Sequence, residues 1–112
     1  MTQHSIDTSV YNVFEIDIEG VDLKERQFLS IEDNAIIIVE VQGKVYAIGD
    51  ICSHDDGRLE DGLIDDHCIV CPRHGAEFDI RTGEAKSMPA VVGIPTYPIE
   101  VIGSTLYIGI KK

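Results

Sequence analysis

Residues Asn12-Val13-Phe14-Glu15-Ile16-Asp17-Ile18-Glu19 alternate apolar and polar side chains, the period of two that a half-buried β-strand requires. Gln27–Ile31 predicts a second strand, with Glu32-Asp33-Asn34 as the turn after it. Ala35–Val41 and Lys44–Ile48 flank Gln42-Gly43, and a short glycine-bearing link between β-branched runs predicts a hairpin. Tyr97–Ile102 and Thr105–Ile110 repeat that pattern around Gly103-Ser104. The stretch Ala35-Ile36-Ile37-Ile38-Val39 is apolar without alternation, as in a fully buried strand, and it is far shorter than the roughly 20 residues of a membrane span. Val21–Arg26 has room for a helical turn or two, and no longer amphipathic helix is apparent.

The middle of the chain has a different character. Residues 49–95 hold all three cysteines, three of the four histidines and three of the four prolines. This composition predicts loops, where sites are commonly built on a rigid scaffold. The expected fold is all-β. Both chain ends form a β-sandwich or small barrel in a single domain over 1–112, and a loop-rich insert over about 49–95 interrupts it.

Charge and composition narrow the function. Nine Lys and Arg against twenty Asp and Glu leave a formal net charge of −11, which repels nucleic-acid phosphates. With no Trp, three Phe and four Tyr, the chain also lacks a stacking platform for single strands. The polar start Met1-Thr2-Gln3-His4-Ser5 has no basic-then-apolar pattern, so neither a signal peptide nor a membrane partner is expected. An odd count of three cysteines makes a poor disulfide framework and points to a reducing cytoplasm.

The chemistry lies in two short clusters, Cys52-Ser53-His54 and Cys71-Pro72-Arg73-His74, separated by 16 residues. Each offers one thiolate and one imidazole. Two such loops facing each other supply the two sulfurs and two nitrogens of a tetrahedral zinc site. They equally suit a [2Fe–2S] cluster with both cysteines on one iron and both histidines on the other.

The order C-x-H, then C-x-x-H continuing as His74-Gly75, with the proline-bearing segment Met88-Pro89-Ala90 beyond, resembles the cluster-binding pattern of the Rieske iron–sulfur family. The likeness runs from about Val10 to Ile110 and is nearest to the small ferredoxins of ring-hydroxylating, non-haem iron oxygenases. The resemblance implies a β-sandwich with a rubredoxin-like cluster-binding insert. It implies that Cys52 and Cys71 hold the inner iron of one [2Fe–2S] cluster and that His54 and His74 hold the outer one. It further implies an electron carrier without catalytic residues, placed between an NAD(P)H-dependent flavoprotein reductase and a terminal oxygenase with a basic docking face. High-potential members of the family join their ligand loops by a disulfide and aim a Ser and a Tyr hydroxyl at the sulfurs. The corresponding positions here are Gly57, Arg73, Ala76 and Phe78, so a low potential is implied. The other two histidines and the short chain leave no room for the mononuclear iron of a catalytic oxygenase.

Other readings stay open at this level. The same cluster would serve iron–sulfur assembly or a nitrite-reductase-like client, and zinc would make the chain a stapled interaction module. Cys68 completes a Cys68-x-x-Cys71 pair, yet in a β-rich run ending at Pro72 it is expected to be a small core thiol rather than a redox partner. His67 is expected on the solvated surface and His4 in a disordered tail. Seven acids between Asp50 and Asp66, against the single Arg58, make either a solvated face or a rim that steers a basic partner. Gly57, Gly62 and Gly75 suit either plain turns or close backbone approach to the cluster.

Overall fold

In a computed structural model the described residues are 4–51, 59, 62–72, 75–86 and 93–112. They form ten antiparallel strands in three sheets, and no helix is present among them. No helix there is long and apolar enough to cross a membrane. The first sheet has the order β1 (Tyr11–Asp17), β10 (Thr105–Lys111), β9 (Ile99–Ile102). The second has the order β2 (Gln27–Ile31), β3 (Asn34–Val41), β4 (Lys44–Gly49), β8 (Thr96–Tyr97). The third is small: β5 (Leu63–Asp65), β6 (Cys68–Val70), β7 (Glu77–Asp79).

The unbroken apolar run finds its cause in this layering. Side chains alternate faces along a strand, so a strand covered on both sides needs apolar residues at every position. On β3, Ile36 and Ile38 join Ala47 and the β10 residues Leu106, Ile108 and Ile110 in one buried cluster between the first two sheets. Ile37 and Val39 join Ile48 and the third-sheet residues Ile69 and Phe78 in another, on the opposite face. The second sheet is therefore the middle layer, and the small sheet rides on its outer face.

The hairpins form as the sequence suggests. The β2–β3 link is the pair Glu32-Asp33 alone, with φ of 51° and 66°, and Gln42-Gly43 has 51° and 82°. Two consecutive positive φ values give the turn whose twist matches a two-residue hairpin. Asn34 is not part of the turn; it opens β3 and donates its side-chain amide to the Ile31 carbonyl at 3.0 Å.

Four expectations are corrected. Tyr97–Ile102 is not one strand, because Pro98 divides it: β8 pairs with β4 in the second sheet, while β9 pairs with β10 in the first. Proline has no N–H for a ladder, and here it marks the corner where the chain changes sheet. Val21–Arg26 forms turns, not helix. Asp22 accepts the Lys24 and Glu25 amides through side chain and carbonyl, and the Leu23 carbonyl is taken by the Glu40 N–H at 2.7 Å. Within the insert expected to be loop-rich, residues 63–79 carry the three short strands of the third sheet, and the β-rich run that ends at Pro72 contains β6. His4 is not in a disordered tail: its ring lies 4.9 Å from that of Tyr107, and the neighbouring Ser5 donates to the Glu100 carboxylate.

Candidate metal centre

The chain leaves β4 at Gly49 and returns at Pro95, and these two residues touch: the Gly49 N–H donates to the Pro95 carbonyl at 2.8 Å. All the candidate ligands lie between them. Cys52, His54 and His74 are outside the described residues, as are Gly57, Arg73 and Met88-Pro89-Ala90. Cys71 is the candidate ligand the structure describes.

Cys71 follows directly on β6 and is 1 % exposed. It is a free thiol, packed in the same cluster as Ile69, Ala76 and Phe78. Its N–H donates to the Ala76 carbonyl at 2.7 Å, and its own carbonyl accepts the Gly75 N–H at 3.0 Å. These two backbone bonds tie Cys71 to Gly75 and Ala76, and His74 lies between them in the sequence. Gly75 has φ +77°, a conformation glycine reaches without a Cβ penalty. A buried free cysteine directly after β6, with a histidine three residues on in the sequence, fits a soft thiolate–imidazole donor set. Among the described residues no three metal-binding side chains converge.

The segment holding the first pair of candidate ligands, Cys52 and His54, is bounded by Asp50 and Leu59. Asp50 is 1 % exposed and its Oδ1 accepts the Leu59 N–H at 2.8 Å. Its own N–H donates to Ala35 on β3 at 2.8 Å. Leu59, wholly buried, accepts the Gly62 N–H at 2.8 Å, and the Gly62 carbonyl accepts Arg26 Nη1 at 2.7 Å. Any Cβ at Gly62 would collide with the Val70 carbonyl, so this glycine is required by close approach to β6. Asp50 therefore does not belong to the solvated acidic face; Asp65 and Asp66 of that run are exposed.

The remaining residues divide differently from the expectation. Cys68 is half-buried rather than in the core, because the alternation along β6 gives the interior position to Ile69. Desolvation, reinforced by the Asp79 and Glu77 carboxylates, pushes its thiol pKa up. The His67 side chain is only 14 % exposed. Its ring meets Tyr46 edge-on at 6.0 Å, and Nδ1 lies 3.1 Å from Asp66 Oδ1, which makes it a packing residue and not a solvated one. Ala76 and Phe78 are completely buried and bring no hydroxyl to the site. Asp50 and Arg26 were not singled out for the site from sequence, since an aspartate in an acidic run and an arginine 26 residues before Cys52 carry no spacing signal.

Four likenesses accompany this geometry. Residues 12–98 match the family model for the Rieske [2Fe–2S] domain. The chain is 32 % identical over 112 residues to the ferredoxin component of the naphthalene 1,2-dioxygenase system of Pseudomonas aeruginosa, covering 99 % of this chain and 100 % of that one. Its fold superposes on the ferredoxin of carbazole 1,9a-dioxygenase from Nocardioides aromaticivorans IC177 with a TM-score of 0.77 and 26 % identity, covering 86 % and 94 % of the two chains. It also superposes, with the same TM-score, 24 % identity and coverage of 89 % and 95 %, on a chain in a complex of reduced oxygenase and oxidized ferredoxin in carbazole 1,9a-dioxygenase.

Proposed function

The chain belongs to the Rieske [2Fe–2S] domain family, and from that premise we propose that it is the ferredoxin of a ring-hydroxylating dioxygenase system. It is an electron-transfer component and not a catalyst of substrate turnover. The observation that carries this reading is the end-to-end likeness to a dioxygenase ferredoxin component, at 32 % identity. Membership in this family sets aside the zinc-stapled module.

In the proposed arrangement a single domain over 1–112 carries its cluster within about 49–95. Cys52 and Cys71 hold the inner iron, and His54 and His74 hold the outer one. The cluster, when bound, supplies a one-electron couple. The protein sets its height: two thiolates bring half the negative charge of four, so an added electron meets less repulsion than in an all-cysteine site. Within the resulting window of about −150 to +300 mV, the hydroxyl-free pair Ala76 and Phe78 and the lack of a Gly57–Arg73 disulfide favour the low end. The two backbone bonds of Cys71 fix the main chain from which its sulfur would reach the cluster.

The partners that fit are an NAD(P)H-dependent flavoprotein reductase as donor and a terminal oxygenase as acceptor. A net charge of −11 suits a basic docking face on either. The odd cysteine count and free thiols suit the cytoplasm.

An anaerobic redox titration with visible and EPR spectra of the purified protein tests the reading. A one-electron couple near the bottom of the Rieske window is expected. Colourless protein whose metal content is zinc would overturn it.

A further inference from the structure

We propose that Asp50 is a positioning residue for the cluster: its buried carboxylate pins together the two ends of the segment that carries Cys52 and His54. This rests on the ligand reading above and adds to it a residue that touches no metal.

The entry of the segment is fixed by backbone. Asp50 N–H donates to Ala35 on β3, the strand buried on both faces, at 2.8 Å. The exit is fixed through Leu59, which is 0 % exposed and bonded by its carbonyl to the Gly62 N–H. Gly62 is held in turn by Arg26 and by close approach to the Val70 carbonyl. The hydrogen bond from Leu59 N–H to Asp50 Oδ1, 2.8 Å long, joins entry to exit across nine residues. Burying a carboxylate is costly unless it is hydrogen-bonded, and this one stands two positions before a ligand cysteine. Tying the ends of a short segment removes conformational freedom that its two donor side chains would otherwise lose on binding iron. Asp50 thereby preorganises Cys52 and His54 through the main chain.

The test compares full-length holoprotein with Asp50→Asn, which keeps an acceptor oxygen, and Asp50→Ala, which does not. The readouts are the EPR g-values of the reduced cluster and the rate of iron loss to a chelator. Asp50→Asn should retain the wild-type g-values. Asp50→Ala should shift or broaden them and release iron about tenfold faster or more, since at least the buried bond to Leu59 is lost. Wild-type g-values and iron loss in Asp50→Ala would overturn the proposal. Should Asp50→Ala not fold, amide hydrogen exchange in the wild-type holoprotein decides: Leu59 N–H is expected to be protected, and rapid exchange there overturns the proposal. Cys52→Ala and His54→Ala separate the two layers of the argument. If they retain the Rieske signal, the ligand reading has failed; if they lose it while Asp50→Ala is silent, the positioning role has failed.

Discussion

Arg81 holds Asp79 by two parallel bonds, Nε to Oδ1 at 3.1 Å and Nη2 to Oδ2 at 2.9 Å, while its own backbone N–H also reaches Oδ1 at 2.8 Å. Asp79 is 4 % exposed at the end of β7, where the third sheet turns back on itself. The guanidinium bonds, followed by the backbone bond, outweigh burial and hold this carboxyl below the usual carboxylate range. Because the native value is the lower one, the stabilisation is complete above about pH 4 and is lost as pH falls through the native value. Thermal stability of the wild type should therefore weaken as pH falls below about 4, and Asp79→Asn should be less stable at neutrality with a flatter acid limb. An unchanged acid limb in the variant would show that Asp79 takes no part in it.

Spectroscopy should sort the cysteines and histidines. Replacing Cys52, His54, Cys71 or His74 by Ala should abolish the Rieske absorbance and EPR signal. Cys68→Ser should leave both intact, since its side chain faces away from the Cys71 side of β6. His67→Ala should also keep the spectrum, at a cost in melting temperature from the lost edge-on contact with Tyr46. Loss of the spectrum in Cys68→Ser would require a different ligand set.

Phe78→Tyr tests the potential. Phe78 is wholly buried among Ile37, Val39 and Ile69, so a new hydroxyl there must find a partner or cost about 1–3 kcal/mol. On the proposed reading the partner is a sulfur of the site, and the midpoint should rise by on the order of 50 mV, the one-electron equivalent of about 1 kcal/mol, with stability retained. A lower melting temperature with an unchanged midpoint would mean that this position faces only the apolar interior.

Ionic strength tests the docking charge. Electron transfer to the terminal oxygenase should slow as salt is raised from low to physiological levels, because screening weakens the attraction of a −11 chain for a basic face. Replacing exposed Asp65 and Asp66 by Asn should reduce that salt dependence, whereas a rate independent of salt would remove electrostatic steering from the account.

Much of the frame was legible because its signals are local. Alternation marked β1, two-residue links marked the hairpins, and the apolar run of β3 announced a strand covered on both faces. The third sheet was not legible, since strands of three residues are too short to display a period and sit among prolines, glycines and acids. Pro98 divides what reads as one β-rich run, and only the pairing partners reveal that its halves serve different sheets. The family was legible in the spacing of Cys52, His54, Cys71 and His74. The supports at Asp50 and Arg26 were not, because their partners are backbone atoms 9 and 36 residues away that sequence alone does not bring together.

The corner at Pro98 has a mechanical consequence. Residues 96–102 are one covalent run whose first part is laced to β4 and whose second part is laced to β10. Sliding one layer across the other would have to tear one of those ladders, so the run acts as a rivet through the frame. The two layers that carry the insert are thereby held in one register by a single stretch of chain.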